Sequence, residues 1–156
     1  MLARCDRWRH CMNTGPAPGG TYRERLDEMY AWCEALCTGD AEYTEDDIAR
    51  FWTSDARMVT NGKLEAAGIP GLRKHFALFP QKYRRVEIRR PFHRYLEAGN
   101  TVVIEYEILG ELRAGEMAIA TGDTTRQHVR VIAVFQMRDG RIAEMREVAA
   151  ANMGDA

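Results

Sequence analysis

The stretch VVIEYEILGE, Val102 to Glu111, alternates with a period of two over its whole length. Successive side chains of a strand point to opposite faces, so this pattern fixes a long β-strand and two rows. Val102, Ile104, Tyr106 and Ile108 form one row; Val103, Glu105, Glu107, Leu109 and Glu111 form the other. A reading by polarity alone puts the aliphatic row in the core and the glutamates in water, because an ionised glutamate is seldom buried unpaired. Which row faces inward decides what chemistry the chain can perform.

The elements before this strand read as helices. Thr21 and Glu24 have capping-box spacing, and Tyr22, Leu26, Met29, Cys33 and Leu36 recur at helical intervals until Gly39, with Trp32 on the flank of that stripe. Thr44 and Asp47 open a second, short helix carrying Ile48, Phe51 and Trp52. ARMVTNG reads as a short strand ending in an Asn61–Gly62 turn, GKLEAAG as a turn and lid with Glu65 exposed, and GIPGLRKHFALFP as a helix ended by Pro80. Ile69, Leu72, Phe76 and Phe79 make the apolar face of that helix. Beyond it the period changes to two, giving strands near 84–95, 101–112, 126–138 and 141–149, with a hairpin turn at Asp139–Gly140. RAGEMAIATGDT is a longer connection. Helices first and antiparallel strands after them indicate an α+β fold with helices packed on one face of a curved sheet.

With 156 residues the chain suits one domain with one core. The domain is expected over 21–152, with a flexible tail at 1–20 that ends in TGPAPGG and a short tail at 153–156. A net charge of -1 provides no global field for nucleic acid or an anionic membrane. No apolar run reaches transmembrane length, and MLARCDRWRHCMNTGPAPGG lacks the apolar segment of a secretory signal, so a cytoplasmic location is expected. Cys5, Cys11, Cys33 and Cys37, with or without His10, match no recognised zinc spacing, and reduced thiols are expected rather than a metal site. Among the histidines, His128 is expected on the outer face near Arg130, and His75 in solvent.

The order of elements resembles the nuclear-transport-factor-2-like fold, a cone of sheet and helices around an apolar pocket. Three patterns carry the resemblance: WCEALCTGD for the end of the first helix, FWTSDARMV for the second helix running into the first strand, and VFQMRDGRIAEMREV for the final hairpin. Within that fold the chain is similar to the SnoaL-like polyketide cyclases and to limonene epoxide hydrolase. The hydrolase's Arg-Asp pair falls on Arg146 and Glu147, and its Arg-x-Asp on Glu105 and Glu107. Its water-holding Tyr and Asn fall on Met58 and Thr60, which argues against epoxide opening by that scheme. Ketosteroid isomerase fits less well: its base, phenolic donor and second carboxyl fall on Thr60, Trp32 and Ala133.

The resemblance implies that Glu105 and Glu107 face the pocket and that a homodimer covers the aliphatic row on the outer sheet face. Two like charges in a low-dielectric pocket keep one carboxyl protonated, and an acid beside a carboxylate is the equipment of general acid–base catalysis. Glu107, Glu105 and Glu147 are therefore the expected catalytic residues. Trp32, Trp52, Met58, Thr60, Phe76, Phe79, Arg89, His93, Ala133 and Met145 are the expected pocket lining. Arg89 is the candidate counter-ion, with Arg130 and Arg146 pointing outward. The expected function is a small cofactor-free enzyme acting on an apolar oxygenated small molecule, polyketide- or terpenoid-like, by cyclisation, dehydration, isomerisation or epoxide opening. The alternative is a non-catalytic binding or assembly module on the same fold.

Overall fold

The computed structural model describes residues 20–113 and 126–151. The expected tails, the connection 114–125, and Cys5, His10 and Cys11 lie outside the described residues.

Helix α1 (Tyr22–Thr38) starts where its sequence predicts. The Thr21 hydroxyl accepts from Glu24 N–H at 3.2 Å, and the Glu24 carboxylate accepts from Thr21 N–H at 2.8 Å. Gly39 ends the helix at φ 78°, a left-handed backbone that glycine adopts without Cβ strain. Leu26, Met29, Tyr30, Cys33, Leu36 and Cys37 are buried, a stripe three to four residues apart, and Trp32 is buried beside it. Helix α2 (Glu45–Ala49) is capped in the same way by Thr44 and Asp47. It is shorter than its apolar residues suggest, and Trp52 already belongs to strand β1 (Trp52–Thr60).

The segment expected to be a lid is instead strand β2 (Lys63–Ala67), paired back onto β1. Helix α3 (Gly68–Phe76) and the short α4 (Phe79–Lys82) follow; Pro80 sits in the first turn of α4, where its missing N–H costs nothing. The strand expected over 84–95 is two strands, β3 (Tyr83–Ile88) and β4 (Arg94–Ala98), both paired antiparallel to β5 (Thr101–Leu112). At the break, the Glu34 carboxylate of α1 accepts from Ile88 N–H and from Arg90, each at 2.6 Å, and Phe92 turns into the core. Strands β6 (Arg126–Arg138) and β7 (Arg141–Ala151) form the final hairpin, and its turn places Asp139 at φ 51° and Gly140 at φ 71°.

Among the described residues seven strands make one mixed sheet in the order β2-β1-β7-β6-β5-β3, with β4 also on β5, and of these pairs only β1 and β7 run parallel. The helices cover its inner face. The core lies between them, built from Leu26, Met29, Leu36, Phe51, Trp52, Phe76, Ile104, Tyr106, Phe135 and Met137.

This packing answers the question posed by the long strand. Val102 and Ile104 are 0% exposed and Tyr106 is 1% exposed, packed against the helices. The aliphatic row is inside, and Glu105 and Glu107 are on the outer face, contrary to the orientation that the family resemblance implies. The reason is the period of the strand: a carry-over misplaced by one residue reverses every side chain. With the aliphatic row buried, a dimer is no longer required to cover it.

Candidate functional site

Thr60 ends β1 and lies directly opposite Glu147 in the parallel β1–β7 pair, while Ala133 of β6 lies opposite Glu147 on its other side. All three face inward with Tyr106. The Thr60 hydroxyl donates to Glu147 Oε1 at 2.8 Å, and Asn61 N–H donates to the Glu147 carbonyl at 2.9 Å. Tyr106 approaches the same carboxyl, and Tyr30 of α1 approaches Tyr106, with ring centroids 5.0 Å apart. The Tyr30 hydroxyl is buried and has no hydrogen-bond partner. Met58 (5% exposed), Met145 (3%) and Ala133 (0%) supply apolar walls.

Partial burial removes water from Glu147 and pushes its carboxyl above the ordinary range, against the hydrogen bonds from Thr60 and Tyr106; the negative charge of Glu65 adds to the rise. Burial likewise pushes the Tyr30 and Tyr106 phenols up, and the Cys33 thiol beside them. The cluster thus brings a raised carboxyl, two phenols and a hydroxyl together on the inner face of the sheet.

The other expected lining residues divide into two groups. Trp32, Trp52, Phe76 and Phe79 are on the inner side: Trp32 and Phe76 meet edge-to-face with centroids 4.9 Å apart, while Trp52 and Phe76, 6.2 Å apart, and Phe76 and Phe79, 5.8 Å apart, are tilted. They fill the region under α3 and brace the fold. Trp32 Nε1 donates to the Glu42 carbonyl at 2.9 Å. Arg89 and His93 are not in this lining. They lie on the outer face with Glu107, as do His128 and Arg130. Glu105, also outside, pairs with Arg94 at 3.2 Å. Of the three expected catalytic carboxylates, only Glu147 is on the inner face.

Among the described residues, a groove of about 400 Å³ opens between β2 and α3, lined by Leu64, Glu65, Ala66, Gly71, Lys74, His75 and Leu78. His75 is half-covered rather than solvated, and burial lowers its pKa against the pull of Glu65. Glu65 therefore links the groove electrostatically to Glu147.

Tyr106 and Tyr30 are the site residues that sequence reasoning missed. A signal existed for each. Tyr106 is the one member of the buried row with a polar end, and Tyr30 falls on the apolar stripe of α1 between Leu26 and Cys33.

The family model for the SnoaL-like domain matches residues 26–145. Among solved structures, the chain is similar to a protein assigned as a SnoaL-like polyketide cyclase from Jannaschia sp. CCS1, with 16% identity over 90% of this chain and 92% of that one and a TM-score of 0.63. It is similar to a cystatin-fold protein from Novosphingobium aromaticivorans, with 17% identity, 83% and 98% coverage and a TM-score of 0.64. It also resembles a protein with a ketosteroid isomerase-like fold from Catenulispora acidiphila, solved with trimethylamine, at 16% identity, 76% and 82% coverage and a TM-score of 0.56. No curated protein matches the sequence. Among the described residues, no helix is long and apolar enough to cross a membrane. The mixed sheet wrapped on its helices and the domain match over most of the chain agree, and the protein belongs to the SnoaL-like family.

Proposed function

We propose that the protein is a small acid–base enzyme acting on an apolar, oxygenated small molecule, with Glu147 as the proton donor and acceptor. One observation carries this reading: Glu147 is a partly buried inner-face carboxyl, raised above its ordinary range, with hydroxyl partners and no cationic partner among the described residues. An unpaired carboxyl taken out of water costs stability, and such groups concentrate at functional sites. A carboxyl that holds its proton more tightly than usual protonates a substrate oxygen, and its conjugate base then removes a proton elsewhere on the molecule. Tyr106, Tyr30 and Thr60 hold the oxygenated end; Met58, Met145 and Ala133 face the apolar part. The reaction classes that fit are cyclisation, dehydration and isomerisation. The family supports an enzymatic reading in general terms, because it often carries cyclase and isomerase activities.

The close packing of Phe51, Trp52, Phe76 and Phe135, each 2% exposed or less, favours a second reading, a binding module that kept the fold without the chemistry. Mass spectrometry of small molecules co-purifying with the protein, followed by turnover of the identified compound, separates the two. The enzyme reading expects conversion of that compound by the wild type and loss of conversion in Glu147→Gln. Binding without conversion, or conversion unchanged in the variant, contradicts it.

A further inference from the structure

On the outer face of the sheet, one carboxylate holds four cationic or potentially cationic groups. Glu107 Oε1 meets Arg130 at 3.2 Å and His93 at 3.2 Å; Glu107 Oε2 meets His128 at 3.3 Å and Arg89 at 3.6 Å. The four come from different places in the chain: Arg89 follows β3, His93 precedes β4, and His128 and Arg130 are on β6. The Glu107 side chain is 7% exposed, while Arg89, Arg130, His93 and His128 are 55%, 53%, 47% and 36% exposed. The carboxylate is therefore the floor of the cluster and the cations are its open side.

The charges do not balance. The neighbouring acids of this face are each matched by an arginine of their own: Glu105 with Arg94 at 3.2 Å, Glu111 with Arg84 at 2.9 Å, and Glu87 with Arg85 at 3.9 Å. Glu107 is shared by two guanidiniums, Arg89 and Arg130, so within this cluster the arginines outnumber the carboxylate that holds them. Each guanidinium carries five N–H donors in a fork that suits an oxyanion, and one contact to Glu107 leaves most of them available. The Nε2 atom of His128 is shut off from water and, despite its approach to Glu107, has no aligned hydrogen-bond partner. Both guanidiniums touch the same carboxyl, so a single tetrahedral anion can span them.

We infer that this cluster is an oxyanion-binding site on the outer face of the sheet, taking the phosphate or sulfate group of a small molecule between Arg89 and Arg130, with His93 and His128 at its edge. Glu107 is its positioning residue: it pins four mobile side chains into one cradle and touches no ligand. The site is separate from Glu147, which lies on the opposite face, and the inference does not depend on the proposed activity. The charged groups facing the cluster are Arg89 and the Arg85–Glu87 pair from the β3 side, His93 and Arg94 from the β4 side, Glu105 and Glu107 from β5, and His128 and Arg130 from β6.

The test is a titration of the full chain with sodium sulfate at fixed ionic strength, followed by the imidazole NMR signals of His93 and His128. Saturable shifts in both histidines are expected. Arg89→Gln and Arg130→Gln each weaken binding by about tenfold. Arg94→Gln, whose arginine is matched by Glu105, leaves it unchanged. Competition by a soluble phosphate monoester assigns the natural group to a soluble molecule, whereas retention on phosphatidylcholine vesicles containing phosphatidic acid assigns it to a lipid headgroup. Shifts that grow linearly without saturating, or an equal loss in Arg94→Gln, overturn the site.

Discussion

Glu107 and Glu147 sit on strands that flank β6 and point through opposite faces of the same sheet. Glu147 has a threonine hydroxyl at 2.8 Å and phenols around it, and burial raises its carboxyl. Glu107 is also cut off from water, which by itself raises the carboxyl, but the hydrogen bond from Arg130 and the approach of His128 and His93 outweigh this and hold it below the ordinary range. Its cover is a layer of half-exposed side chains rather than packed core. The pair shows that depth alone does not set a carboxylate's chemistry; the partners it is given decide whether it is an acid or a fixed counter-ion.

The largest predicted contrast between the two faces comes from placing one charge on each. Ile104→Lys puts an unpaired ammonium into a site that is 0% exposed, and unfolding by urea should show a loss of more than about 4 kcal/mol or no soluble protein. Ile132→Lys changes a residue that is 52% exposed on the outer face and should stay within about 0.5 kcal/mol of wild type. Equal behaviour of the two variants would reverse the assignment of faces.

Next in size are the glutamates themselves. Glu147→Gln keeps the shape and removes the proton; turnover of the co-purifying compound should fall about a hundredfold. Glu107→Gln should leave that turnover unchanged and cost about 1 kcal/mol in urea unfolding, a modest figure because its partners are half-exposed. A turnover defect in Glu107→Gln as large as that in Glu147→Gln would restore Glu107 to the mechanism.

The smallest effects lie in the pH dependence of stability, where the two groups have opposite signs. The folded Glu147 carboxyl is raised, so the unfolded chain ionises first and stability declines as pH rises from the ordinary carboxyl range to the folded value. The folded Glu107 carboxyl is lowered, so its contribution is full above the ordinary range and is lost as pH falls through the folded value. Urea unfolding at several pH values should therefore find Glu147→Gln gaining on wild type toward neutral pH, and Glu107→Gln losing least in acid.

Much of the fold was legible because its signals are local. The Thr21–Glu24 and Thr44–Asp47 boxes, the Gly39 stop and the Asp139–Gly140 turn each act within a few residues, and each is where the sequence puts it. The long strand was legible too, and its polarity alone gave the correct inner row. What misled was positional analogy along β5, which pairs with β6 in unbroken register from Thr101 to Glu111: a carry-over displaced by one residue reverses the facing of the whole strand, and the expected pair Glu105 and Glu107 went to the wrong side. Arg89, the candidate counter-ion of that pair, and His93, an expected lining residue, lie on the outer face with them. Glu147, with Thr60, Met58, Met145 and Ala133, lies on the parallel β1–β7 seam and its β6 neighbour and faced the expected way. The split of β3 from β4 depends on a tertiary contact, Glu34 to Ile88 and Arg90, which no local pattern announces.

The central claim, that one sheet holds an inner acid and an outer counter-ion, is tested most directly by a carboxyl ¹³C NMR titration. Each glutamate is assigned by its loss in Glu147→Gln or Glu107→Gln. The account predicts a midpoint for Glu147 above the ordinary glutamate range and one for Glu107 below it. Midpoints in the reverse order, or a Glu147 that titrates like a free carboxyl, would contradict it.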